Sequence, residues 1–240
     1  MQAGMGNTLK RRLIEWLTAH GGPFVLGLSG GLDSAVAGAV AALTGIETVG
    51  FWLPNGPSDP NKFDAHWVAT RFGIKWQECD IEPIYRACFL DPGLALLSRQ
   101  IACSGAKIAE ANLLSRIRMT ILYYYANLTG AKVIGTRHGD DGAADLYPLR
   151  KISKSIIKEL AYELGVPESI IAKEPSAGLW EGQTDAEEIG CCYELVDTFL
   201  DSTVGTTDDD PTDIEKSLQA RIENTEHKRQ TYVFYPEKQD

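Results

Sequence analysis

The chain lacks what a membrane, a nucleic acid or an oxidising compartment would demand of it. No apolar run approaches the roughly 20 residues needed to span a bilayer. The first residues, Met1 to Lys10, carry no basic stretch leading into a hydrophobic segment, so no signal peptide is expected. Positive charge is in deficit, with 23 Lys and Arg against 33 Asp and Glu and a net charge of −10. That balance argues against a general nucleic-acid or anionic-membrane surface and leaves room only for a small, locally positive site. Cysteine is sparse: five residues, an odd number with no Cys-X-X-Cys, read as reduced thiols of a cytoplasmic protein. The four histidines stand at no metal-ligand spacing with a cysteine or with one another, which argues against a structural zinc site.

What is present is ordinary in bulk and unusual in one place. The 240 residues, 44% apolar and 23% charged, suffice for one sizeable α/β domain, and no second domain is expected within 1–240. The unusual place is Ser29-Gly30-Gly31-Leu32-Asp33-Ser34, which follows the apolar run Phe24 to Leu28 and precedes Ala35 to Leu43. A short apolar run reads as a buried strand, and the alanine-rich stretch closed by Thr44-Gly45 reads as a helix. A glycine-rich turn between strand and helix lets backbone approach an anion, with free N–H groups and the positive dipole end behind it. Two serine hydroxyls can donate to phosphate oxygens, and Asp33 can hold a magnesium ion that phosphates share. The string is neither a Walker loop, because Gly-Lys-Ser/Thr is missing, nor the Gly-X-Gly-X-X-Gly fingerprint.

Periodicity orders the rest. An amphipathic helix is expected over 8–20, then strand 24–28, helix 33–44, strand 46–53, helix 62–72 and strand 74–80. Such alternation implies right-handed βαβ units: a Rossmann-like, mostly parallel sheet with helices on both faces. Ligands of such sheets bind beyond the carboxyl ends of the strands, where the Ser29 loop lies. A long helix is expected over 105–129, its stripe Leu114, Ile117, Ile121, Tyr124 and Leu128 reading as core or subunit contact. Arg116 and Arg118 flank the stripe, and Asn112 stands one turn before Arg116. Strand 132–136 ends at Gly135-Thr136, and helix 152–164 is closed by Gly165. The stretch 201–216 is acidic and reads as a surface loop. A helix near 211–226 leads to the basic cluster His227-Lys228-Arg229, which is open between a solvated tail and an anion-binding one.

Several of these segments together resemble one family, the ammonia-dependent NAD synthetases of the N-type ATP pyrophosphatase superfamily. The matching pieces are Ser29 to Ser34, Asn112 through Arg116 to Met119, Gly135-Thr136, Gly142 to Pro148, Pro175 to Asp185 and Glu226 to Arg229, in the family's order. The resemblance implies an adenine nucleotide alpha hydrolase-like fold. It implies ATP-dependent amidation of deamido-NAD by ammonia to NAD, AMP and pyrophosphate, in the cytoplasm. It also implies a homodimer and no glutaminase domain. Carried over position by position, Ser29, Gly30, Gly31, Asp33, Ser34, Thr136, Lys154 and Ser176 would bind ATP, with Asp33 also ligating Mg2+. Arg116, Asp145, His227 and Lys228 would bind deamido-NAD, the last two from the neighbouring subunit. Asp33, Lys154 and Asp145 would be the residues closest to catalysis.

One segment departs from the family. Members carry a longer stretch after the Gly-Thr turn, with a glutamate for magnesium and a lysine for deamido-NAD. Here Gly135 to His138 runs almost directly into Gly139 to Asp145, and Asp140 and Asp141 do not align with that glutamate. Three readings stay open: a loop missing from this chain, a rebuilt magnesium site, or a paralogue that amidates another carboxylate or is inactive. The retained Lys154 and Ser176 favour the first two.

Overall fold

The computed structural model describes residues 3–56, 59–88, 105–136 and 144–173. Within them lies a four-stranded parallel sheet built from β1 (Phe24–Gly27), β2 (Thr48–Trp52), β3 (Lys75–Glu78) and β4 (Lys132–Val133), in the order β3-β2-β1-β4. Phe24 pairs with Thr48 on one side and Lys132 on the other, which places β1 in the interior of the sheet.

Helices cover both faces, as the alternation implies, and the strand period of two shows how. Phe24, Leu26 and Leu28 enter one buried cluster with helix α1 (Ala3–His20), α2 (Leu32–Leu43) and α6 (Lys154–Leu164). Val25, Val49, Phe51 and Leu53 enter a second cluster against α5 (Gly105–Thr129) and the short α4 (Glu82–Ala87). A strand buried on both sides has to be apolar at every position, which is why 24–28 reads as an unbroken hydrophobic run. The helices α3 (Lys62–Phe72) and α7 (Glu168–Ile171) complete the described elements.

Two glycines fix the height of the loop above the sheet. A Cβ on Gly50 would overlap the Leu28 side chain, and one on Gly38 of α2 would crowd it at 3.1 Å. Leu28, 1% exposed, therefore sits in a slot that neither neighbour could open with a side chain, and Ser29 follows at once. Gly38 costs its helix about 1 kcal/mol against alanine, and close approach of α2 to the sheet is what the cost allows.

Several boundaries differ from the sequence expectation. The first helix begins at Ala3 rather than residue 8, and β2 runs over Thr48–Trp52 rather than 46–53. β4 is only Lys132–Val133, because the chain leaves the ladder after Ile134 forms a lone bridge to Leu146. The helix expected from 152 begins at Lys154, since Ser153 is extended (ψ 156°) and its hydroxyl caps the Ile156 N–H. On α5, Leu114 and Ile117 are buried, but toward its end burial passes to Leu122 and Ala126, and Tyr124 and Leu128 are 67% and 66% exposed. The expected elements at 201–216 and 211–226 lie outside the described residues.

Candidate active site

The site begins where β1 ends. Gly30 takes φ +73° and turns the chain back over the sheet, and Gly31 is the extended N-cap of α2 with no side-chain cap. The first-turn N–H groups that every α-helix leaves without intrahelical partners therefore face the loop uncapped. Two serines close the loop on itself. Ser34 Oγ donates to Gly31 O at 3.0 Å and accepts from Ser29 N at 3.1 Å. With the Ser34 proton so engaged, Ser29 must be the donor in the 3.0 Å bond between the two hydroxyls. Both serine protons are thus satisfied internally, and a phosphate oxygen would take them by exchange.

Ser34 is 2% exposed, and alanine there strands the Ser29 N–H, while the Gly31 carbonyl keeps only its bond from Ala35 N. Ser34→Ala is expected to cost about 1–3 kcal/mol. Thermal denaturation should record a melting point lowered by several degrees; an unchanged one would show that the hydroxyl does not hold the loop.

Asp33 and Lys154 meet beside this loop from opposite halves of the chain. Lys154 Nζ donates to Asp33 Oδ2 at 2.5 Å, with the two side chains 14% and 23% exposed. Each residue stands in the first turn of its helix, α2 for Asp33 and α6 for Lys154. A carboxylate is favoured there by the helix dipole and an ammonium is disfavoured. The packing of α6 on α2 holds Lys154 in a position its own helix does not prefer, as positions kept for chemistry often are. The other carboxylate oxygen, Asp33 Oδ1, is buried and has no hydrogen-bond partner among the described residues. A buried anionic oxygen left over after one ion pair is suited to a cation.

Asp145 stands elsewhere. Its Oδ2 accepts from Val133 N at 2.8 Å and its Oδ1 from Tyr123 OH at 3.1 Å. Val133 pairs with Val25, so this carboxylate lies beside β4 about four residues, roughly 13 Å, behind the Ser29 loop. It satisfies an N–H on the side of β4 facing away from β1, a group that would otherwise be an open edge donor. One lone pair on each oxygen is used in this way, and Asp145 also lines a cleft of about 540 Å³ together with Asn127 and Lys132 among others.

Thr136 is half-buried beyond β4, after Gly135, whose Cα is covered by the Tyr147 ring so closely that a Cβ would overlap it. Arg116 is exposed on α5, while Arg118 donates Nε to Leu53 O at 3.0 Å and ties that helix to the end of β2. Ser176, His227, Lys228 and the segment 137–143 lie outside the described residues. The structure thus brings Ser29, Gly30, Gly31, Asp33, Ser34 and Lys154 together and sets Asp145 apart. Sequence reading missed Lys173, which bonds Gly30 O from 143 residues away and carries no local signature.

A family model described as NAD synthase matches residues 9–232. The chain belongs to the NAD synthase family. It is 40% identical over 205 residues to the NH(3)-dependent NAD(+) synthetase of Methanocaldococcus jannaschii, covering 79% of this chain and 76% of that protein. It is 35% identical to the protein of the same name from Finegoldia magna, covering 85% and 84%. Among solved structures it is similar to NMN synthetase from Francisella tularensis, with TM-score 0.81, 32% identity, and 97% and 98% of the two chains covered. Membership in the NAD synthase family carries the parallel α/β fold with it, and among the described residues no helix is long and apolar enough to cross a membrane.

Proposed function

We propose that this chain is a carbon–nitrogen ligase that converts deamido-NAD, ATP and ammonia to NAD, AMP and pyrophosphate. The observation that carries the reading is the Asp33–Lys154 pair beside the uncapped α2 N-terminus, in a chain of the NAD synthase family. The nicotinate carboxylate attacks the α-phosphorus of ATP, and the bond to the β-phosphate oxygen breaks to release pyrophosphate. Ammonia then adds to the activated carbonyl, loses a proton, and expels AMP. The first step concentrates negative charge on the departing pyrophosphate, and Lys154 and the loop amides are placed to stabilise it. The second needs only orientation and the exclusion of water, so no side-chain nucleophile is assigned.

Mg2+ fits the donor set: Asp33 Oδ1 is the hard oxygen available to it, and phosphate oxygens would complete its shell. When bound, it would supply charge neutralisation on the phosphates. Thr136 and Ser176 are assigned to the ATP side, and Arg116, Asp145, His227 and Lys228 to the dinucleotide. His227 and Lys228 would come from a second copy, and the exposed Tyr124 and Leu128, one turn apart on α5, supply an apolar face for such a dimer. Leu128→Glu should therefore yield monomers by analytical ultracentrifugation, with amidation falling together with dimer content; a stable dimer would remove α5 from the interface. The site is expected to work on free ammonia in the cytoplasm.

A second reading rests on the similarity to an NMN synthetase: the acceptor here would be nicotinate mononucleotide rather than the dinucleotide. Purified protein given ATP, Mg2+ and ammonium with either acceptor separates the two. NAD and AMP in equal amounts from deamido-NAD support the first. Faster turnover of the mononucleotide favours the second. AMP from neither would leave the chain a nucleotide-binding paralogue.

A further inference from the structure

The phosphate loop is held from outside by a lysine that none of the assigned roles includes. Lys173 follows α7, and its Nζ donates to Gly30 O at 3.0 Å and to Asn61 Oδ1 at 2.6 Å and pairs with Asp64 Oδ2 at 2.5 Å. Two of the ammonium's three N–H donors are thus taken by acceptors from separate segments, and the Asp64 carboxylate balances its charge. Asn61 and Asp64 belong to the start of α3, against which the loop is already pressed: a Cβ on Gly30 would overlap the Asn61 carbonyl oxygen. The side chains of Lys173 and Asp64 are only 29% and 27% exposed, so the ammonium is not a free surface charge that happens to lie nearby.

The Gly30 carbonyl is the informative partner. It belongs to the Gly30–Gly31 peptide, which is planar and trans, so its C=O and N–H point in opposite directions. A carbonyl drawn toward Lys173 and α3 obliges the Gly31 N–H to point the other way, into the loop, where it meets Ser29 Oγ at 3.4 Å. Glycine on both sides makes this peptide unusually free to rotate. Turned over, it would aim a carbonyl oxygen at the place where phosphate is to bind.

We propose that Lys173 is a positioning residue for the phosphate loop, locking the Gly30–Gly31 peptide with its N–H facing the ATP phosphates; this rests on the reading of the loop as an ATP site. Lys173 itself need not touch the nucleotide. Its charge is balanced by Asp64, so it holds the loop without adding net field to the site.

The test is binding of Mg2+-pyrophosphate and of ATP by calorimetry, with steady-state kinetics, on Lys173→Met and Asn61→Ala. For Lys173→Met the expected result is an ATP KM and a pyrophosphate dissociation constant raised at least tenfold, with kcat within about threefold of wild type. Asn61→Ala removes one orienting acceptor while leaving the lysine in place. It should raise both constants about threefold, and by nothing further when combined with Lys173→Met. Should Lys173→Met fail to fold, Asn61→Ala decides alone, and wild-type constants there overturn the proposal. Wild-type binding in a folded Lys173→Met protein overturns it as well, while leaving the loop as an ATP site. If the unaltered protein binds neither pyrophosphate nor ATP, the reading of the loop falls and the role of Lys173 falls with it.

Discussion

Replacing Asp33 with alanine is expected to lower pyrophosphate release by at least about a thousandfold, the scale on which removal of preorganised charge at a reacting centre is felt. Two losses combine. The buried Oδ1, which has no partner among the described residues, is the oxygen available to a cation, and alanine removes it. Oδ2 is the counter-charge that aims Lys154, and without it the ammonium can settle toward solvent or on a phosphate in the wrong place. Asp33→Asn separates the two losses, because the amide oxygen still accepts from Lys154 but binds Mg2+ poorly. Its activity should fall nearly as far as that of the alanine variant if losing the cation does more damage than losing the aim of Lys154. Release of pyrophosphate is measured directly, and cooperative unfolding must be retained for the loss to count as chemistry. Near-normal turnover of Asp33→Ala would remove the residue from the mechanism.

The second large effect is expected at Gly30, and it separates two adjacent glycines that look equivalent in sequence. Gly30 has φ +73°, a conformation that costs an L-residue about 1–2 kcal/mol, and a Cβ there would run into the backbone of Asn61. Neither α3 nor the loop can yield without moving the other. Gly30→Ala should shift the loop by a fraction of an ångström or more, enough to cost about a hundredfold in turnover, and should lower the melting temperature. Gly31 is extended at φ −95°, and its virtual Cβ meets only Ser29 Oγ at 3.5 Å, an ordinary contact. Gly31→Ala should therefore leave the melting temperature of the unliganded protein near wild type. Equal melting temperatures for the two variants would mean that the docking of Gly30 on α3 does not hold the loop.

Much of the frame was legible because its signals are local. The run Phe24 to Leu28 reads as a doubly buried strand because nothing polar interrupts it, and α3 runs over Lys62–Phe72 as its periodicity predicts. Boundaries failed where a side chain or partner, rather than propensity, ends an element: the Ser153 hydroxyl starts α6 two residues late, and β4 stops when its partner changes from β1 to Leu146. The α5 stripe illustrates a different limit. Its spacing marks an apolar face but not what covers it, and within one chain Tyr124 and Leu128 are left uncovered.

Residue order alone was enough to specify the glycine-rich loop between strand and helix, the alternation that makes a parallel α/β sheet, and the motif order that places the chain in its family. These reside in contiguous stretches where composition and spacing act directly on local backbone choice. Packing in three dimensions was needed to pair Lys154 with Asp33 across 121 positions, to latch Asp145 onto the edge of β4 rather than join it to that pair, and to bring Lys173 onto the Gly30 carbonyl. Such contacts depend on how helices settle against the sheet, and a lysine's sequence neighbours do not record which distant oxygen its ammonium will reach.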